Sequence, residues 1–257
     1  MKVVILCGGK GTRLSEETVL RPKPMVEIGG KPILWHILKL YEAQGFSEFV
    51  LALGYKSEFI KDYFLNYPSR NSDFTVDLST GSVETIQTFP LNCKVHLIET
   101  GLETLTGGRL LRLKSFLNDA PFMFTYGDGV SNINLGNLLE FHQSHGKTAT
   151  LTAVRPQARF GGLKIENDQI TEFEEKPQGG EGWINGGFFV FNPEIFQYLE
   201  NDQTILERKP MIELQKKGQL MAYRHSDFWQ CMDTIRDRET LEELWNSSNP
   251  PWKLWKN

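Results

Sequence analysis

Cysteine is scarce in this chain: three in 257 residues, at Cys7, Cys93 and Cys231. They are odd in number and far apart, with no Cys-x-x-Cys pair and no Cys/His grouping at zinc spacing. A disulfide framework and a structural zinc site are therefore excluded, and a reducing, cytoplasmic setting is the one that fits. Long apolar runs are missing too. Nothing approaches the ~20 residues that cross a bilayer, so no membrane partner is expected. The opening Met1-Lys2-Val3-Val4-Ile5-Leu6-Cys7-Gly8-Gly9 is too short in its apolar part, and lacks the cleavage site, for a secretory signal. Positive charge is not in excess: 28 Lys plus Arg against 32 Asp plus Glu leave −4. Nucleic acid, which requires a basic field, is not expected as a partner. Internal repeats and low-complexity stretches are absent, and the 40% hydrophobic content excludes intrinsic disorder.

What is present is an alternation of short apolar runs with amphipathic helical patterns. Residues 3–7 form a continuous, largely β-branched run, the mark of a strand buried on both faces. Leu34, Ile37, Leu38 and Tyr41 then recur at helical spacing, and Gly45 closes that helix. A second buried strand is expected at 49–53. After it Ser57 is placed to cap a helix that turns Phe59, Ile60, Tyr63 and Phe64 inward. Further strands are read at 94–98, 122–126 and 148–154, with helices at 109–117 and 135–145 between them. This order predicts an α/β fold: a Rossmann-like, mainly parallel sheet with helices on both faces. Residues 74–89 read as a β-hairpin insertion around Ser79-Thr80-Gly81-Ser82. Past residue 155 the strands are shorter (163–166, 170–174, 188–191, 220–224) and suggest a smaller strand-rich lobe over the carboxyl edge of the sheet. Residues 1–240 are thus read as one catalytic domain, with a nucleotide-binding part to about 150 and the smaller lobe over about 151–240. Residues 241–257 are a C-terminal helix and tail. Trp245, Trp252 and Trp255 carry more aromatic area than a free tail should, so they are expected to pack on the body or on another subunit.

The loop after the first strand, Gly8-Gly9-Lys10-Gly11-Thr12-Arg13-Leu14, is a candidate anion cradle, since glycines let main-chain N–H groups reach a phosphate. The carboxyl edge of an α/β sheet is also where ligands bind. Two common cradles fail. The dinucleotide fingerprint needs a glycine where Leu14 stands, which disfavours an NAD-dependent oxidoreductase. The P-loop lacks its Gly-Lys-Ser/Thr after the opening glycines, and at Gly146-Lys147-Thr148 its first glycine would be Phe141. Arg13 and Lys23 add two cations, which suits a polyphosphate.

That loop, followed by Arg21-Pro22-Lys23-Pro24-Met25, resembles the signature of the sugar-phosphate nucleotidyltransferases. Further landmarks of the family occur in order. They are Gly127-Asp128 after the strand at 122–126, Arg159-Phe160-Gly161, Glu174-Glu175-Lys176-Pro177, Asn185-Gly186-Gly187, and Trp229-Gln230-Cys231-Met232-Asp233-Thr234. The resemblance spans residue 1 to about 240. It implies attack by a sugar 1-phosphate oxygen on the α-phosphorus of a nucleoside triphosphate. Two polyanions must meet, so the barrier is one of positioning and charge neutralisation, with Mg²⁺ as cofactor held by one or two carboxylates. By the same resemblance Gly8, Gly9, Gly11 and Thr12 shape the nucleotide loop, Arg13 neutralises the departing pyrophosphate, and Lys23 steadies the transferred phosphoryl group. Asp128 and Asp233 are the expected Mg²⁺ ligands. Lys176 would hold the sugar phosphate, with Gly162, Glu175 and Asn185 on the sugar hydroxyls. Plainer readings exist for some of these: Asp128 as a strand-end turn, Asn185 as an Asn-Gly turn, Glu175 and Lys176 as solvated charges.

The segment Glu99-Thr100-Gly101-Leu102-Glu103-Thr104-Leu105-Thr106-Gly107-Gly108-Arg109 occupies the base-reading position and departs from the thymidylyl-transferring form. With the opening residues and the hairpin insertion, it resembles the branch of the family that uses CTP and glucose 1-phosphate. In that branch Thr104 and Arg109 would lie beside the nucleotide, with Arg109 donating to the base or its sugar unless it is simply a solvated helix residue. Members of the branch are typically hexameric, so a homo-oligomer is expected, with the hairpin and the tryptophan-rich tail as contact surfaces. UTP or dTTP as the nucleotide, and a non-catalytic sensor of nucleotide sugars, are the alternatives. The sensor reading is disfavoured by the presence of Arg13, Lys23, Asp128 and Asp233 together.

Overall fold

In the computed structural model, which describes residues 1–88, 91–156, 162–166, 169–174 and 182–255, strand β1 (Lys2–Leu6) lies in the middle of a seven-stranded sheet. The other strands are β2 (Glu48–Leu53), β3 (Lys94–Glu99), β4 (Phe122–Tyr126), β5 (Ala149–Val154), β6 (Ile184–Phe191) and β7 (Leu220–His225). Their spatial order is β7-β5-β6-β4-β1-β2-β3. β1 is parallel to β2 and β4, β2 to β3, and β5 to β7; only β6 runs antiparallel to both neighbours. The expected mainly parallel α/β sheet is present.

Strand alternation divides the apolar side chains between two cores. Val3, Ile5, Phe49 and Leu51 face one layer, and Val4, Val50 and Ala52 the other, all at 0% exposure. The first layer packs against α1 (Ile33–Glu42), where Leu34, Ile37, Leu38 and Tyr41 are buried as their spacing requires. It also receives α4 (Leu135–His145), capped by Asn134 accepting from the Asn137 N–H, and Leu241 of α6 (Ile235–Trp245). The second layer packs against α3 (Thr106–Arg112) and α5 (Lys209–Lys216) through Leu110, Met211 and Leu214.

Several expectations are corrected. The strands read at 188–191 and 220–224 as part of a smaller lobe are β6 and β7 of the central sheet itself, paired with β4 and β5. The helix read at 109–117 is two, α3 and a turn at Lys114–Leu117, separated at Leu113 where the backbone leaves the helical region. Helix α2 (Ser57–Leu65) begins at Ser57, which does not cap it. Lys56 stands at the cap in the left-handed region (φ 51°), and the Ser57 hydroxyl donates to Glu99 instead. Within α2, Ile60 and Tyr63 are buried, whereas Phe59 is exposed under the Lys56 ammonium. The hairpin pairs Ser72–Asp77 with Ser82–Thr88, and Phe89 lies outside the described residues. The C-terminal helix begins at Ile235, upstream of residue 241.

The tryptophans of the tail pack on the chain's own body. Trp252 is 1% exposed, and Trp245, Trp252 and Trp255 surround His36 with ring centroids 4.6, 6.0 and 6.3 Å away. Nε2 of His36 donates to the Ile28 carbonyl (2.8 Å), leaving Nδ1 to accept from Trp252 Nε1. Burial pushes the His36 pKa down to about 4. This cluster packs the tail on the chain's own body. Among the described residues no helix is long and apolar enough to cross a membrane.

Candidate active site

The carboxyl ends of β1 and β4 open into a cleft of about 1510 Å³. Its polar wall is assembled from four distant parts of the chain. Lys23 sits in a 3₁₀ turn (Lys23–Met25) entered from Pro22, whose ring restricts the backbone there. Asp128 follows β4. Asp233 is brought beside it by a short antiparallel ladder, Trp229–Cys231 against Gly129–Ser131, closed by Met232 N–H donating to the Asp128 carbonyl (2.8 Å). Immediately after Asp233, Thr234 and Asp237 form a capping box on α6, and Asp237 also accepts from the Asp233 N–H (3.1 Å). The cap thus holds the Asp233 backbone while its side chain faces the cleft.

The charges converge on one point. Lys23 Nζ donates to Asp128 Oδ2 at 2.5 Å and to Asp233 Oδ1 at 2.6 Å, and Arg13 Nη1 donates to Asp233 Oδ2 at 2.9 Å. Burial works to lower the Lys23 pKa, but Asp128 and Asp233 outweigh it and hold the ammonium above its ordinary value. Burial likewise works to raise Asp233, and Lys23 and Arg13 overcome it, so the carboxyl is held low. Two cations therefore balance two carboxylates. The Lys23 ammonium marks a position that a small metal cation could take with the same two oxygens. Among the described residues no group of three or more metal-ligating side chains exists. A site with only two carboxylates suits a metal that completes its shell with phosphate oxygens and water, as Mg²⁺ does.

The glycine loop fits this wall for specific reasons. Gly11 has φ +62°, and a Cβ there would come 2.7 Å from Thr18 Cγ2. A Cβ on Gly8 would lie 2.2 Å from Arg109 Nη1. Gly9 and Gly11 line the cleft, whereas Gly8 and Thr12, their neighbours in sequence, are not among its described lining residues. Thr104, Arg109 and Asn185 line it as well. Arg109 is only 4% exposed, and its guanidinium faces the protein. Nη1 donates to the Leu53 carbonyl (3.0 Å), Thr100 Oγ1 (2.8 Å) and the Gly101 carbonyl (2.7 Å). Nη2 donates to the Gly8 (2.9 Å) and Leu102 (3.3 Å) carbonyls. The hydrogens expected to reach a base or its sugar are taken by the chain itself, so Arg109 is a clamp between the glycine loop and the loop at residues 100–102. Neither is it a solvated helix residue.

Gly162 opens a strand (Gly162–Glu166) paired with Gln169–Glu174. Glu175, Lys176 and the Arg159-Phe160-Gly161 turn lie outside the described residues. Tyr126, Thr106 and Glu207 are among the lining residues that were not anticipated. Tyr126, a lone hydroxyl at the end of an apolar strand two residues before Asp128, carried a readable signal; Glu207, within a run of charged residues, carried none. Burial, then the charges of Asp233 and Asp128, push the Cys231 thiol up to about 12, and burial raises Cys7 further, so neither supplies a thiolate.

Comparison with known proteins gives the family. The nucleotidyl transferase family model matches residues 2–230. The chain is 49% identical over 257 residues to the glucose-1-phosphate cytidylyltransferase of Salmonella typhi, covering 100% of both chains. It is 31% identical to the mannose-1-phosphate guanylyltransferase catalytic subunit beta of Dictyostelium discoideum, covering 95% of this chain and 64% of that one. The crystal structure of HddC from Yersinia pseudotuberculosis superposes with a TM-score of 0.71 at 25% identity, covering 95% of this chain and 99% of that one.

Proposed function

The chain belongs to the nucleotidyl transferase family, and from that membership we propose that it transfers a cytidylyl group from CTP to α-D-glucose 1-phosphate, giving CDP-glucose and pyrophosphate. The observation that carries the choice of substrates is the 49% identity, end to end, with a glucose-1-phosphate cytidylyltransferase. The chemistry is supported by the convergence of Asp128 and Asp233 on one cationic point beside the glycine loop.

Positioning dominates the mechanism. At an effective dielectric of ~20, two unit charges ~4 Å apart interact by roughly 4 kcal/mol, so phosphates of two substrates meet only when cations stand between them. Mg²⁺, held by Asp128 and Asp233, would supply neutralisation and orientation at the α-phosphate. Lys23 and Arg13, paired with those carboxylates in the free protein, then turn to phosphate oxygens: Lys23 to the transferred group and Arg13, exposed at 76%, to the departing pyrophosphate. Gly9 and Gly11 leave the loop open on the nucleotide side. The attacking phosphate oxygen is already ionised near neutral pH, so no general base is required. Asn185 faces the sugar. Gly162, Glu175 and Lys176 complete the sugar side in this reading, with residues 1–240 acting as one catalytic domain, its nucleotide-binding part to about 150 and its sugar-binding lobe over 151–240. We propose a cytoplasmic homo-oligomer, a hexamer by resemblance. Its contact would be the hairpin, whose Phe74, Val76 and Val83 are exposed and whose Val76 pairs with Val83.

The test is pyrophosphate release across CTP, UTP, dTTP and GTP against several sugar 1-phosphates, with Mg²⁺ omitted as control. Release with CTP and glucose 1-phosphate, dependent on Mg²⁺, is expected. Release confined to another pair would refute the substrate assignment.

A further inference from the structure

We infer that Glu207 is a specificity-determining residue whose carboxylate accepts a hydroxyl of the hexose, with Thr106 and Tyr126 holding it in place. The inference rests on the sugar 1-phosphate reading above and deepens it. Glu207 lies just before α5, in a loop that reaches across the cleft. Thr106 Oγ1, at the start of α3, donates to Glu207 Oε2 (2.7 Å) while accepting from the Leu206 N–H (2.9 Å). Tyr126, at the end of β4, donates its phenol hydrogen to Glu207 Oε1 (2.6 Å). The phenol oxygen in turn accepts from Asn185 Nδ2 (3.4 Å), whose own Oδ1 accepts from the Gly187 N–H (2.9 Å). The Tyr126 ring is fixed edge-on to Phe124 and Phe189, both 5.9 Å away between centroids, and lies so close to Gly187 that a Cβ there would come 2.6 Å from Cδ2.

All four polar residues line the cleft. Among the described residues no Lys or Arg pairs with Glu207. A carboxylate offers about four acceptor directions, of which Thr106 and Tyr126 occupy two. The remainder face a cleft that receives polyanions. A negative charge repels phosphate, so the group that settles beside Glu207 is a hydroxyl-bearing one, the hexose rather than the triphosphate. Asn185 Nδ2 keeps one hydrogen for the cleft beside it. A carboxylate acceptor next to an amide donor suits two neighbouring hydroxyls, one donating and one accepting.

The experiment measures kcat/KM of the full chain with glucose 1-phosphate and its monodeoxy analogues, at saturating CTP, for wild type, Glu207→Gln and Glu207→Asp. Melting temperatures are followed alongside, and the aspartate variant serves where the amide does not fold. In the wild type, loss of one hydroxyl is expected to cost roughly 10- to 100-fold, the range for a hydrogen bond to a charged group. In both variants that penalty is expected to shrink to about threefold or less, while KM for CTP stays within about twofold, as a direct pairwise contact requires. Identical penalties in wild type and variants, or a KM for CTP rising in step with that for the sugar, would overturn the inference. A wild type that forms no CDP-glucose brings down the function reading and this inference together; an active wild type with unchanged penalties sinks this one alone.

Discussion

The two ends of the cleft are built on different physics. At the phosphate end Arg13, Lys23, Asp128 and Asp233 form a closed ion network, neutral in sum, with no spare charge until ligands arrive. At the end proposed for the sugar Thr106, Glu207, Tyr126 and Asn185 form a chain of hydrogen bonds around a single carboxylate. Charge acts at a distance and tolerates any sugar attached to the phosphate. Hydroxyl contacts are short and directional, and they distinguish one hexose from another. On the proposed reading the contrast separates rate from selectivity along one cleft.

Breaking the phosphate end has the largest expected effect. Lys23→Met or Asp233→Asn is expected to lower kcat/KM by roughly a thousandfold or more, about 4 kcal/mol, and equally for every sugar tested. A loss that varied with the sugar would erase the distinction between the ends. Next comes the junction at Gly8. Gly8→Ala drives a methyl into the Arg109 guanidinium and is expected to destabilise the fold by about 1–3 kcal/mol, read as a lowered melting temperature, with a raised KM for the nucleotide. Tyr126→Phe sharpens the comparison from the other side. It is expected to raise KM for the sugar phosphate about tenfold, near 1.4 kcal/mol, with KM for the nucleotide unchanged. The last effect lies outside both ends, at His36. The unfolded histidine protonates near pH 6.5 and the folded one near 4, so stability is complete above pH 6.5 and declines as pH falls toward 4. By pH 5.5 the loss is about 1.4 kcal/mol, and it should be absent from the acid limb of His36→Gln, measured by denaturant melts.

Much of the scaffold was legible. Val3, Val4 and Ile5 announced a doubly buried strand, and the spacing of Leu34, Ile37, Leu38 and Tyr41 announced the helix behind it. Ser57 misled because serine before a helical pattern is a good cap, yet Glu99 from a distant strand captured its hydroxyl. Arg109 showed its position and hid its role. A cation near a phosphate loop suggests a ligand contact, and only the folded chain reveals five acceptors around it. Thr234 and Asp237, at capping-box spacing behind Asp233, were an available signal for how that carboxylate is aimed. Glu207 had no signal, because a charged residue among charged residues in sequence has a surface as its default place.

The order and identity of the charged residues, and the periodicity that folds the sheet and helices beneath them, belong to the sequence by itself, since local pattern follows from the burial each side chain demands. That Lys23 reaches both Asp128 and Asp233, that Arg109 turns inward, and that Glu207 meets Tyr126 were decided by the tertiary structure alone. Those pairs come from separate strands and loops. Whether such atoms stand at hydrogen-bond distance depends on how the layers pack, and packing is a property of the whole chain.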